Sequence, residues 1–235
     1  MTLAPVVRRS GRGNATVIPI ATLRRFTLLL LAAFGALAVF VALVPMPTSA
    51  ERSIDQMLSA ARGSAMFELD RAVSFIGSGV VVTVAAVLLA TVVWARSHRW
   101  PLALLCLAGP ALAGLGEVVL KALVGRPRPA TGLLTGLAGN GFPSGHTSGA
   151  AALATVAIIV SQSLVSSAQM RRVIAGAAVL YAVAVGISRV VVGAHDGLDV
   201  VGGWLLGPAA ALVAFLAITR VASHDRGNVT PRRSG

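Results

Sequence analysis

The sequence predicts an all-α integral membrane bundle of six transmembrane helices. Three observations predict it. Hydrophobic residues make up 56% of the chain and charged residues only 12%, against about 25% charged in soluble domains. The apolar residues gather in six runs, each about long enough to cross a bilayer. The basic residues fall mostly in the tails and in short turns between those runs, where positive charge sets membrane orientation. A net charge of +12 would otherwise suggest nucleic acid, but charges spread over tails and turns do not make the stripe that partner needs. One bundle in a lipid bilayer is expected, not two domains, with no nucleic-acid partner.

Residues 1–22 are polar and arginine-rich and read as a disordered tail. The first apolar run covers 23–44. Arg24 and Arg25 at its start and Thr48-Ser49-Ala50 after it imitate a signal peptide, but the run is longer than a signal core and reads as an uncleaved span. Residues 45–70 form the longest polar connection and hold Glu51, Asp55, Glu68 and Asp70, half of the eight acids in the chain. Ile54, Met57, Leu58 and Ala61 recur at helical spacing, which predicts a short helix lying on the membrane surface. It would either border a substrate entrance or serve only as a connector. The second span is expected over 72–95 and the third over 100–124, joined by the basic turn Arg96-Ser97-His98-Arg99. Residues 125–146 are rich in Gly and Pro and therefore irregular. The fourth span is expected over 147–167, the fifth over 173–192 after the basic turn around Arg171 and Arg172, and the sixth over 199–218. The membrane domain is thus 23–220, and 221–235 is a second basic tail. Cys106, the one cysteine, excludes an internal disulfide and reads as a small buried apolar residue.

Six spans put both tails and both short basic turns on one side, the cytoplasmic side of the cell inner (plasma) membrane. The remaining loops face outward, and they carry the polar residues that stand out: Lys121, Arg128 and Pro129; Pro143, Ser144, Gly145 and His146; Ser188, Arg189, His195 and Asp199. Lys121 is the only lysine among 20 basic residues. Cations at helix ends are costly unless paired or functional. Arginine grips phosphate oxygens in a fork and lysine adds a point charge. Lys121, Arg128 and Arg189, with no block of acids nearby, suggest an anion site. Ser144 and Gly145 precede the fourth helix, whose free amides would hold a phosphate, though Ser144 is also a good helix cap. His146 is placed to protonate a leaving oxygen. His195 and Asp199, four apart at the start of the sixth helix, would share one face, so that the carboxylate fixes the tautomer and frees the other nitrogen to attack. If the helix begins after His195, a turn must do this instead. His146, His195 and Asp199 are also a possible zinc set, which the three cations oppose. Glu117, at i, i+4 from Lys121, is expected to pair with it, and Asp196 to be a solvated loop residue. His98 and His224 lie on the other side.

The three motifs resemble the signature of the type 2 phosphatidic acid phosphatase (PAP2) family, membrane relatives of the vanadium haloperoxidases. Every signature position from Lys121 to Asp199 matches. The resemblance implies a PAP2/haloperoxidase-like core and a metal-independent lipid phosphatase without cofactor, working through a phosphohistidine. It implies that His195 is the nucleophile, Asp199 its orienting partner and His146 the acid and then base. Lys121, Arg128, Ser144, Gly145 and Arg189 would hold the phosphate oxygens. A membrane lipid phosphate is then the expected substrate. Chain size and arginine usage fit a bacterium, which makes undecaprenyl diphosphate the leading candidate. Phosphatidic acid, phosphatidylglycerol phosphate and phosphotransfer to an alcohol stay open, as does the oligomeric state. A non-enzymatic lipid binder would need the cations but not the His–Asp pair.

Overall fold

The computed structural model describes residues 19–58, 61, 63–129 and 139–227. The tails expected over 1–22 and 221–235 therefore lie outside the described residues up to 18 and beyond 227, as does the 130–138 part of the Gly/Pro loop. The described chain forms eight helices and no strand: α1 (Ile20–Leu43), α2 (Ser49–Leu58), α3 (Ala65–Ile76), α4 (Gly79–Ser97), α5 (Trp100–Val124), α6 (Gly145–Leu164), α7 (Ala168–Val191) and α8 (Gly197–Gly227). Six of them, α1 and α4 to α8, are long and apolar enough to cross a membrane. The chain is a multi-pass membrane protein.

The expected second span is in fact two helices. Composition stays apolar across the break, so hydropathy alone joins them. Ser78 ends the continuity: its hydroxyl accepts the Val81 N–H and caps α4. Gly77 just before it lets α3 press on α7, because any side chain there would collide with Val185. α3 lies along the C-terminal half of α7, with Phe67 against Val191, Val192 and Ala194. At its other end Tyr181 donates to the Ile76 carbonyl at 3.0 Å.

α8 and α6 are the most buried spans and α1 and α4 among the least. α6 and α8 meet through Gly203 and Gly207, one helical turn apart. A Cβ on Gly203 would lie 2.6 Å from Thr147 Cβ, and one on Gly207 2.8 Å from both Ala151 Cβ and Ala152 N. Small residues let the two backbones approach closely, the main source of helix packing where lipid offers no hydrophobic drive. At the end remote from the motifs, Leu105, Cys106, Val156, Ala211 and Phe215 form the largest apolar cluster, and Cys106 is buried and free as expected. The C-terminus of α5, the N-terminus of α6, the C-terminus of α7 and the N-terminus of α8 converge at the opposite end. Two contacts record this: the Ser144 N–H donates to the Asp199 carbonyl at 3.0 Å, and the Gly141 N–H to the Arg126 carbonyl at 2.7 Å.

Candidate active site

α5 stops at Gly125, which takes the left-handed conformation (φ 67°) and returns its N–H to the Lys121 carbonyl. Only glycine adopts this cap without strain, and the turn sends Arg126 inward. Lys121 Nζ is 2.7 Å from Glu117 Oε1, the pairing that their spacing predicts.

Four helices carry a serine at the N-cap. Ser64, Ser78 and Ser167 each accept a first-turn amide. Ser144 makes no such bond; its Oγ accepts from Thr147 Oγ1 at 3.0 Å. Of the two roles sequence allows, the simple cap is therefore the wrong one, and the first-turn amides of α6 keep their positive end uncapped by a side chain. The Glu117 carboxylate lies against the Gly145 backbone, where any Cβ would strike it.

α8 begins at Gly197, after His195. The expected shared helix face does not exist, and a turn does its work. The Arg189 carbonyl accepts the amides of both Ala194 and His195. Asp199, in the first turn of α8, reaches back to the Asp196 N–H with Oδ2 at 3.2 Å, the carboxylate half of a capping box. The same Oδ2 is 3.2 Å from His195 Nδ1. His195 Nε2 is 3.2 Å from Arg128 Nη1. Guanidinium only donates, so Nε2 carries the lone pair and Nδ1 the proton donated to Asp199. Two neighbours thus fix one tautomer, with the free nitrogen among cations. Burial pushes the His195 imidazole well below its ordinary pKa, and Arg128, Arg189 and Lys121 push the same way.

Arg128 also donates to the Ala194 carbonyl at 3.0 Å, and burial lowers its guanidinium below the ordinary value. Arg189, on α7, donates to Ser74 on α3. Yet Arg128 Nε and Arg189 Nε are buried with no acceptor among the described residues. Buried donors are nearly always satisfied, so these two ask for an oxygen-rich ligand. Arg189, His195, Lys121 and Arg128 all lie close enough to His146 to act on its charge. The eight predicted site residues (Lys121, Arg128, Ser144, Gly145, His146, Arg189, His195 and Asp199) therefore occupy one end of the bundle. They can hold a tetrahedral anion beside a neutral imidazole nitrogen. Asp199 has both oxygens engaged by donors, which spoils the alternative zinc set.

Two expectations fail here. Asp196 is not solvated but 4% exposed, and a block of acids does lie nearby. Arg126, fully buried, donates to Asp199 Oδ1 at 2.9 Å and to both oxygens of Glu51 at 2.9 Å, with Asp196 at 3.8 Å. Burial opposes its charge, but Asp199, Glu51 and Asp196 together outweigh burial and raise its pKa above the ordinary value. α2 supplies Glu51 and, one turn on, Asp55. Glu51 accepts the Leu198 N–H and Asp55 the Gly197 N–H, so the first amides of α8 end on carboxylates. The sequence reading follows the apolar residues of α2 and does not foresee that its acidic face docks. Ile54 and Met57 are exposed, and the side carrying Glu51 and Asp55, spaced i, i+4, docks. That spacing, and Arg126 between Gly125 and Arg128, were the available signals.

Asp55 and Asp196 face each other by side chain, and each has a buried Oδ2 with no other hydrogen-bond partner among the described residues. Burial first, then Asp196, raises Asp55 from 3.8 to about 7. Burial first, then Asp199, raises Asp196 to about 6. One proton held by Asp55 and donated to Asp196 satisfies both oxygens. A raised folded pKa gives stability that is fully present below the unfolded value and lost as pH rises through about 7. Asp55→Asn donates without titrating. It is expected to raise the thermal midpoint above pH 7 by about 2–4 °C, to raise it by less near pH 5, and to leave it unchanged only below the ordinary carboxyl value of 3.8, measured by thermal unfolding in detergent.

A family model described as the PAP2 superfamily matches residues 102–222, just over half of the chain. Two solved structures share the fold. The crystal structure of the first transmembrane PAP2 type phosphatidylglycerolphosphate phosphatase from Bacillus subtilis aligns with TM-score 0.71 at 24% identity, over 88% of this chain and 98% of that one. Aquifex aeolicus LpxE aligns with TM-score 0.56 at 24% identity, over 72% and 96%. No curated protein matches the chain. The family model spans all three motifs and the four helices that carry or frame them, and on that ground the chain belongs to the PAP2 superfamily.

Proposed function

We propose that the chain releases phosphate from a lipid phosphate or diphosphate at the outer face of the membrane, through a phosphohistidine on His195. Membership of the PAP2 superfamily makes it a phosphatase of the hydrolase class. The observation that carries the mechanism is the His195 tautomer: a lone pair on Nε2, held among Lys121, Arg128 and Arg189.

In this reading the three cations and the first amides of α6 hold the phosphoryl oxygens, where negative charge concentrates. Nε2 attacks phosphorus and the P–N bond forms as the P–O bond to the lipid breaks. His146 gives its proton to the departing oxygen. The Nδ1 proton stays on the ring, and Asp199 faces the cationic phosphoimidazole. Water then attacks phosphorus, His146 takes its proton, and the P–N electron pair returns to Nε2. No step uses a metal or cofactor.

An apolar groove of about 350 Å³ runs between α4, α5 and α6, lined by Val82, Ala86, Leu107 and Gly114 and by Glu117 and Gly145 at the site. It supports a substrate with a hydrocarbon part. Undecaprenyl diphosphate is the leading candidate. Phosphatidic acid and phosphatidylglycerol phosphate come next, the latter because the Bacillus subtilis structure is of an enzyme named for it. The basic turns at Arg96 and Arg99 and at Arg171 and Arg172 lie at the end away from the site, which supports cytoplasmic termini and an outward-facing site.

The test is phosphate release from purified protein in detergent with EDTA, on all three lipids, with His195→Ala beside it. EDTA-resistant, His195-dependent release supports the reading, and the rate ratios rank the substrates. Release abolished by EDTA overturns the metal-free mechanism. Phosphate appearing on an added alcohol instead of in solution favours phosphotransfer. One pH prediction follows. Attack needs neutral His195, and its lowered pKa keeps it neutral as pH falls through 6.5. The acid limb of kcat/KM, which reports the free enzyme, is expected below pH 6.5.

A further inference from the structure

We propose that Arg126 and Glu51 are a positioning pair for the His195–Asp199 dyad, so that α2 is a working part of the site; this rests on the phosphatase reading above. The contacts form one line. His195 Nδ1 donates to Asp199 Oδ2, Arg126 Nη1 holds Asp199 Oδ1 at 2.9 Å, and Arg126 Nη2 is gripped by both Glu51 oxygens at 2.9 Å. Arg126 Nε ends on the Pro45 carbonyl at 3.3 Å. Asp199 and Arg126 are wholly buried and Glu51 is 6% exposed, so none of them swings into water.

A carboxylate with one oxygen on the imidazole and the other on a fixed guanidinium has a single orientation. Without Arg126, Asp199 would keep only the Asp196 amide and the imidazole. Without Glu51, Arg126 would lose its bidentate partner, and the chain 45–58 its main tie to the Leu198 amide. Neither residue reaches the phosphate site. Arg126 is ringed by Asp199, Glu51 and Asp196, with Asp55 behind Asp196. The dyad is faced by Arg128, Arg189, Lys121 and His146 from the other elements. The pair therefore sets the charge behind the dyad while the cations set the charge in front of it.

A charge relay of this kind makes a prediction that packing alone does not. Arg126→Gln removes a cation behind the dyad and raises its proton affinity. Glu51→Gln leaves Arg126 less neutralised and lowers it. The acid limb of kcat/KM is expected to move up in the first variant and down in the second, each by about half a unit to one unit. kcat is expected to fall about 10- to 100-fold, the usual effect of losing an orienting partner, with KM little changed. Glu68→Gln, in an exposed pair with Arg71, should match the wild type.

The experiment is the pH profile of phosphate release by the wild type, these three variants and His195→Ala. ¹⁵N NMR titration of the His195 imidazole in the same proteins goes with it. The NMR arm reads the dyad even in an inactive protein, and if Arg126→Gln does not fold, Glu51→Gln carries the test. Opposite shifts of the His195 titration support the proposal. An unmoved titration in Glu51→Gln, or shifts of one sign in both variants, overturns it. No His195-dependent release from the wild type overturns the phosphatase reading instead, whatever the imidazole does.

Discussion

His195→Ala is expected to lower phosphate release by about 10⁴- to 10⁶-fold, the scale on which loss of a covalent nucleophile is felt. The helical circular dichroism spectrum should be unchanged. The side chain is buried beside Arg128 and Asp199, but the Asp196 amide and Arg126 still hold Asp199. Arg128 still has the Ala194 carbonyl. The loss should lie in kcat, because Lys121, Arg128, Arg189 and the α6 amides, which are assigned to substrate binding, all remain. A variant that keeps even a hundredth of wild-type kcat would remove His195 from the nucleophile role.

The second large effect is on folding. Gly207→Leu places a branched side chain where even a Cβ would meet the Ser148 carbonyl oxygen and lie 2.8 Å from Ala151 Cβ and Ala152 N. Backbone cannot give way as a flexible side chain does, so α6 and α8 must separate. Overpacking of this kind costs about 3 kcal/mol or more, and here it falls on the two most buried helices. The expected result is protein that aggregates on extraction from membranes, or a thermal midpoint lowered by roughly 6–12 °C. Gly114→Leu makes the control, since nothing lies within 4 Å of a Cβ there. Equal midpoints for the two variants would show that the α6–α8 seam is looser than drawn.

Much of this architecture is legible in the chain because a bilayer leaves few options. Runs of apolar residues long enough to cross it became helices within a few residues of the expected bounds at α1, α5 and α7. The eight candidate site residues stood out because cations, histidines and a carboxylate at helix ends have few inexpensive explanations. What stayed hidden depends on which groups face each other across long sequence separations. Glu51 and Arg126 are 75 positions apart, and an acid in a polar connection reads as solvated until its partner is seen. Asp196 was misread for the same reason: loops are usually wet, but this one is an N-cap under α2. The break at Gly77 and Ser78 was invisible to hydropathy, which has no term for a hydroxyl that caps a helix.

The two helix N-termini at this end of the bundle carry different burdens. That of α8 is already answered by Glu51, Asp55 and Asp199, while that of α6 takes no side-chain cap. To an arriving dianion the site has one positive mouth, not two. In the mechanism proposed above, the ligand would then rest with its oxygens turned to α6 and the cations and its phosphorus open to His195. The carboxylates of α2 thereby give this end of the bundle its polarity.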